Sequence, residues 1–200
     1  MDASLVVGRV AKAIAAHGLD AILIGNAAAA MHGAPVTTID FDFLIRRTPA
    51  NRKKLAGIAA QLGATLYAPF YPVSKVVRLM NDEEGLQVDF MDEVSGVRSF
   101  EGVRKRSHRL SLGESTICLA DLADIIKMKR AANCPQDRAV LEILSRPWKR
   151  SRPTKKQRME LLRKQNEFLQ SELIRRRVAL PIEQRMNFLR KRIGICSTAL

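Results

Sequence analysis

A chain of 200 residues with 46% hydrophobic content can bury a sizeable core and favours one domain with an appendage over two full domains, which excludes a disordered polymer. No apolar run reaches the roughly 18 to 20 residues of a membrane span, and Met1-Asp2-Ala3 lacks the basic and apolar regions of a signal peptide, so a cytoplasmic protein without a membrane partner is expected. The net charge of +14 is concentrated at one end: from Trp148 onward 15 Lys and Arg face four Glu, a net +11, leaving +3 for residues 1 to 147.

Leu5 to Ala16 is Ala-rich with apolar residues at helical spacing, and His17-Gly18 stops it before the apolar run Ala21-Ile22-Leu23-Ile24, a short strand. Gly25-Asn26 interrupts that run, and Ala27 to Met31 forms a short helix closed by His32 and Gly33. From Thr38 the sequence alternates, with Ile39, Phe41, Phe43 and Ile45 on one face and Asp40 and Asp42 on the other, which predicts a strand with one buried face. Pro49 to Leu62 reads as a helix and Thr65 to Phe70 as a short strand. Lys75 to Met80 and Leu86 to Met91 read as a hairpin about Asn81-Asp82-Glu83-Glu84-Gly85, with Asp89 on the polar side of its second strand.

A further strand at Ser115 to Leu119 leads into helices at Asp121 to Ala132 and Pro135 to Ser145. The charged, twice proline-broken stretch Arg146 to Pro153 sets the boundary between a domain at 1–147 and an extension at 148–200. In the extension, Thr154 to Leu180 has a long basic helical pattern and Pro181 to Arg192 a shorter one. Cys118, Cys134 and Cys196 show no CxxC or Cys/His spacing and read as reduced thiols rather than zinc ligands.

Asp40 and Asp42, two apart on a strand, project the same way about 6.5 to 7 Å from each other. Side-by-side carboxylates repel unless a cation joins them, and hard oxygen ligands suit Mg²⁺ or Mn²⁺, which take further ligands from substrate phosphates. Asp89 could complete a cluster for two ions roughly 3.5 to 4 Å apart, the arrangement that serves phosphoryl-group chemistry. Solubilising Asp residues on an exposed strand face are the alternative. Gly25-Asn26, between a buried strand and a helix start, is placed either to meet a phosphate with free backbone N–H groups or to serve only as a routine strand-to-helix turn.

The stretch Leu23-Ile24-Gly25-Asn26-Ala27-Ala28-Ala29-Ala30-Met31-His32-Gly33, followed by Thr38-Ile39-Asp40-Phe41-Asp42-Phe43, resembles the nucleotidyltransferase superfamily, in which a Gly-Gly or Gly-Ser turn precedes an Asp-x-Asp strand. It is especially similar to the bacterial subgroup of abortive-infection and toxin-type nucleotidyltransferases, whose Ala-rich helix ends in His-Gly and which carry a Thr before the Asp-x-Asp. With Leu86 to Phe90 as the third-carboxylate strand, the likeness covers roughly residues 5 to 147. It implies an α+β fold with a mixed sheet flanked by helices, here followed by a basic helical arm. It also implies Asp40, Asp42 and Asp89 as catalytic metal ligands for Mg²⁺ or Mn²⁺, and an NTP held near Gly25, Asn26, Thr38 and Lys129. The chain departs from the pattern at Asn26, where Gly or Ser is usual, and at Val36, where a basic residue often stands.

On the helix Asp121 to Ala132, Leu122, Ile125, Ile126 and Lys129 form one stripe, so an ammonium falls where an apolar residue is expected and needs an anion. Asp137 and a nucleotide phosphate are the two candidates. The +11 extension would supply salt-sensitive affinity for RNA or another nucleic acid, or would pack on the core, a protein partner or a second copy of the chain. Its aromatics are limited to Trp148, Phe168 and Phe188.

The leading expectation is a metal-dependent enzyme that moves a nucleoside monophosphate from an NTP to a hydroxyl on RNA, a protein or a small molecule. The subgroup likeness implies a role related to toxin–antitoxin systems or phage defence. Asn26 and Val36 motivate the alternative, a catalytically impaired nucleotidyltransferase-fold module that binds nucleic acid or protein. Metal-dependent hydrolysis of phosphodiesters is a third reading.

Overall fold

A computed structural model describes residues 3–36, 38, 40–67, 76–112 and 114–145. The expected basic helices at Thr154 to Leu180 and Pro181 to Arg192, and the boundary before them, lie outside the described residues.

The first described elements are α1 (Ala3–Ala16), β1 (Ala21–Ile24), α2 (Gly25–Met31), β2 (Phe41–Ile45), α3 (Pro49–Gln61) and β3 (Thr65–Tyr67). The hairpin β4 (Val77–Asn81) and β5 (Leu86–Met91) follows, then α4 (Phe100–Arg106), β6 (His108–Leu112), β7 (Ser115–Leu119), α5 (Leu122–Ala132) and α6 (Pro135–Ser145). The strands form one seven-stranded sheet in the order β3-β4-β5-β2-β1-β7-β6. It is mixed: β2 pairs parallel with β5 and β1 parallel with β7, while the other neighbours are antiparallel. The expected α+β fold with helices flanking a mixed sheet is what forms.

All four residues of β1 are buried, as suits a continuous apolar run covered on both faces. In β2 and β5, Phe43 and Phe90 stack with ring centroids 5.5 Å apart on the face away from Asp42 and Asp89. The helix α2 touches β1, β2 and α5, and α1 touches β6, β7 and α3.

Several boundaries differ from the sequence reading for local reasons. Gly25 and Asn26 do not interrupt the chain but form the first turn of α2. Strand β2 begins at Phe41, because Thr38 Oγ1 accepts a bond from the Asp40 backbone N–H at 3.3 Å and holds Asp40 just outside the ladder. Strand β3 is described only to Tyr67, and the first hairpin strand runs from Val77. The pair α4 and β6 was not expected. In α4 only Phe100 and Val103 are buried, too short a stripe for helical periodicity to register, although Ser99 caps it by accepting from Gly102 N–H at 3.1 Å. In β6, Leu110 and Leu112 are buried and His108, Arg109 and Ser111 exposed, a readable alternation.

The helix α5 starts after Asp121, whose side chain accepts from Ala123 N–H at 2.9 Å, and ends at Asn133 in the left-handed conformation. Its buried face is Asp124, Ile125, Met128 and Lys129, so the stripe lies one position round from the expected one, with Leu122 and Ile126 at its margin. Asp124 is fully buried and accepts a two-pronged bond from Arg106 at 2.8 and 3.0 Å, which ties α4 to α5.

Candidate functional site

Register alone assembles the site. Ile24, Asp42, Asp89, Arg78 and Tyr67 are successive partners across β1, β2, β5, β4 and β3. Residues directly opposite in a sheet project from the same face, so these five form one row of side chains. Asp42 and Asp89 therefore stand side by side, and Asp40 lies just before β2 near the same point.

The consequence is electrostatic strain. Asp42 is pushed from 3.8 up to about 7, first by burial and then by the charges of Asp89 and Asp40, with Lys129 and Arg78 pulling the other way. Asp89 is buried and receives both prongs of Arg78: Nε donates to Oδ1 at 2.7 Å and Nη2 to Oδ2 at 2.7 Å. The hydrogen bond to Asp89 also raises the Arg78 pKa, so the guanidinium stays charged. No motif in the sequence marks Arg78, yet counting back from the Asn81 to Gly85 turn sets it opposite Asp89.

Gly25 sits against this cluster at φ +69°, and a Cβ there would lie 2.1 Å from Asp42 Oδ2. Only glycine lets the backbone approach the carboxylate so closely. Beside it the side-chain oxygen of Asn26 is buried without a hydrogen-bond partner, an acceptor that costs about 1 to 3 kcal/mol unless a ligand group meets it. Thr38 is half-buried and engaged locally with Asp40.

Lys129 is buried and donates to Asp137 Oδ1 at 2.7 Å, so the inward ammonium has found the protein anion of its two candidates. Burial pushes Asp137 up, but the bonds from Lys129 and Cys134 outweigh it and hold the carboxyl below its usual value. The pair borders a cavity of about 190 Å³ that Ile24, Gly25, Asp42, Met91, Ile125 and Met128 also line. Lys129→Ala should leave Asp137 with only its Cys134 bond and no cation, and lower stability by about 1 to 3 kcal/mol, less than a deeply buried pair because Asp137 keeps some solvent contact. Denaturant titration checks this, and the Lys129→Ala/Asp137→Ala double variant should recover part of the loss.

Other polar residues are structural. His32 bonds the Ala120 carbonyl at 2.8 Å and so ties the end of α2 to the start of α5. His108, which has no partner pattern in the sequence, meets Asp121 at 3.2 Å. Cys118 and Cys134 are free thiols, as expected, and Cys196 lies outside the described residues.

Among the described residues, no three His, Cys, Asp or Glu side chains converge as a ready-made metal cage. The donor set nevertheless fits a hard divalent cation: oxygen ligands only, an excess of negative charge, and a carboxyl whose ionisation is resisted by its two neighbours.

A seven-stranded mixed sheet with an Asp-x-Asp entering its central strand beside a glycine turn defines a nucleotidyltransferase fold. The chain belongs to the family described as nucleotidyl transferase of unknown function (DUF2204), which matches residues 3–194. Among solved structures it is similar to the antibiotic-resistance factor ANT(2'')-Ia, at a TM-score of 0.51 and 12% identity over 88% of this chain and 98% of that one. That likeness concerns the fold. No curated protein matches the chain.

Proposed function

We propose that the protein transfers a nucleoside monophosphate from an NTP to a hydroxyl acceptor with the help of Mg²⁺ or Mn²⁺. The observation that carries this reading is the Asp42–Asp89 register pair with Asp40 beside it, which drives Asp42 to about 7 and makes a cation the natural counter-charge. Asp40, Asp42 and Asp89 would hold the ion, which when bound polarises the phosphate oxygens and lowers the pKa of the acceptor hydroxyl. Gly25 permits close approach of the triphosphate to the backbone, Asn26 offers its unmet side-chain acceptor to the nucleotide, and Thr38 stands beside Asp40. Lys129, already anchored by Asp137 and close enough to draw the Asp42 pKa down, adds positive potential at the cavity. Residues 1–147 would be the catalytic domain and 148–200 a basic extension that recruits nucleic acid. Growth arrest or phage defence is the biological role that fits the family likeness.

Incubation with each labelled NTP, Mg²⁺ or Mn²⁺, and total cell RNA or protein tests activity and acceptor class together. Label should move to a macromolecule, and Asp89→Asn should reduce transfer by on the order of 100-fold or more. Undiminished transfer by Asp89→Asn would remove that residue from the site.

The Arg78 fork favours a second reading, a module whose third carboxylate is permanently occupied and which binds nucleic acid without turnover. In that case RNA binding survives removal of divalent metal and is lost on deletion of residues 151–200, with no labelled product from any NTP.

A further inference from the structure

We propose that Tyr67 and Arg78 form the acceptor-binding edge of this site, and that the acceptor is the 3′ end of a single-stranded nucleic acid; this rests on the transferase reading above. The row of register partners does not stop at the carboxylates. It continues through Arg78 on β4 to Tyr67 on the edge strand β3, so that a cation and an aromatic ring follow the third carboxylate on the same face. With neighbouring strands about 4.8 Å apart, Tyr67 stands two strands, roughly 10 Å, beyond Asp89. That is the reach of one terminal nucleotide measured from its reacting hydroxyl.

The two side chains are built for such a ligand. Arg78 spends Nε and Nη2 on Asp89, and its side chain is still 42% exposed, so Nη1 keeps N–H donors for a phosphate while the fork holds the guanidinium plane fixed. Tyr67 is 49% exposed, an open ring on a sheet edge of the kind on which bases stack irrespective of sequence. The end of a nucleic-acid strand engages both groups at once, its phosphate at Arg78 and its base on Tyr67. The chain's net charge of +14 supplies the long-range attraction that a polyanionic acceptor needs. In the step itself, the 3′ hydroxyl oxygen bonds to the α-phosphorus as the bond to the bridging oxygen of pyrophosphate breaks, and the hydroxyl proton passes to water.

The test uses the full chain with Mg²⁺, labelled NTP, and short oligoribonucleotides and oligodeoxyribonucleotides ending in either a normal or an abasic 3′ nucleotide. Tyr67→Ala should raise KM for the normal oligonucleotide roughly tenfold or more with little change in kcat, and Tyr67→Phe should retain the parent value. The KM for NTP should stay the same in both variants. On the abasic end the parent and Tyr67→Ala should have equal KM, because the stacking partner is missing on the substrate side; a merely structural role for Tyr67 would penalise both substrates alike. An unchanged oligonucleotide KM in Tyr67→Ala, a rise in the NTP KM instead, or label found only on protein or small molecules overturns the proposal while leaving nucleotidyl transfer standing. Absence of Mg²⁺-dependent NTP binding, measured separately by calorimetry, overturns the transferase reading and this inference with it.

Discussion

Asp42→Asn is expected to abolish nucleotidyl transfer and, in the same molecule, to stabilise the metal-free protein above neutral pH. The loss of activity follows from its position. Asp42 is the register partner of Asp89 and follows Asp40 by two residues, and an amide in its place offers one neutral oxygen where the proposed metal site calls for an anionic ligand. Metal-assisted charge stabilisation is worth several kcal/mol, so the rate should fall on the order of 10³-fold or more.

The gain in stability has the opposite dependence from that of an ordinary ion-paired carboxylate. Burial and the neighbouring charges of Asp89 and Asp40 raise Asp42 from 3.8 to about 7, so between those values the folded protein keeps a proton that the unfolded chain has released. Stability therefore falls as pH rises through that window, and the penalty is complete above pH 7, where it amounts to about 4 kcal/mol at most. Asp42→Asn removes the penalty: its melting temperature should exceed that of the parent at pH 8 and match it near pH 4. Adding Mg²⁺ at pH 8 should raise the melting temperature of the parent and not that of Asp42→Asn, because ligand stabilisation requires the ion to bind the folded state. A variant that is no more stable than the parent at pH 8 would show that Asp42 is not electrostatically strained.

These carboxylates were legible in the sequence because strand periodicity is local. Phe41-Asp42-Phe43 announces its buried rings and the acid between them, and the alternation Leu86 to Met91 places Asp89 on the matching side, whereas Asp40 falls outside the ladder and Leu44, on the Asp42 face, is buried as well. Their meeting depends on parallel pairing of β2 with β5, which no short-range pattern encodes; the family likeness implies a third-carboxylate strand but not how it pairs. Arg78 was within reach through hairpin register but carried no motif to draw attention. Asp124 with Arg106 was out of reach altogether: the two are 18 apart in sequence, on separate helices, and a buried Asp is visible only once its partner is known. The Lys129 anomaly illustrates the intermediate case, since an ammonium on an apolar stripe says that an anion exists without saying whether it is Asp137 or a ligand.

Gly25→Ala is the second large effect and the sharper test of how the site is built. At φ +69° any side chain costs about 1 to 2 kcal/mol, the ordinary penalty of the left-handed region. The new methyl would also fall 2.1 Å from Asp42 Oδ2 and 2.9 Å from its carboxyl carbon, so the carboxylate must leave its place, adding roughly 1 to 3 kcal/mol of overpacking. A total loss on the order of 2 to 5 kcal/mol is expected in denaturant titrations, with transfer activity reduced to that of Asp42→Asn, because the same displacement removes the ligand. The two contributions separate in a cycle. Asp42→Ala deletes the carboxyl group and leaves only the Cβ, 3.1 Å from the new methyl, so Gly25→Ala placed on that background should cost little more than the backbone component, and the coupling energy between the two sites should be about 1 to 3 kcal/mol. Additive effects would mean that the glycine is required by the turn alone; strong coupling would mean that it is required because Asp42 must lie against the backbone of that turn.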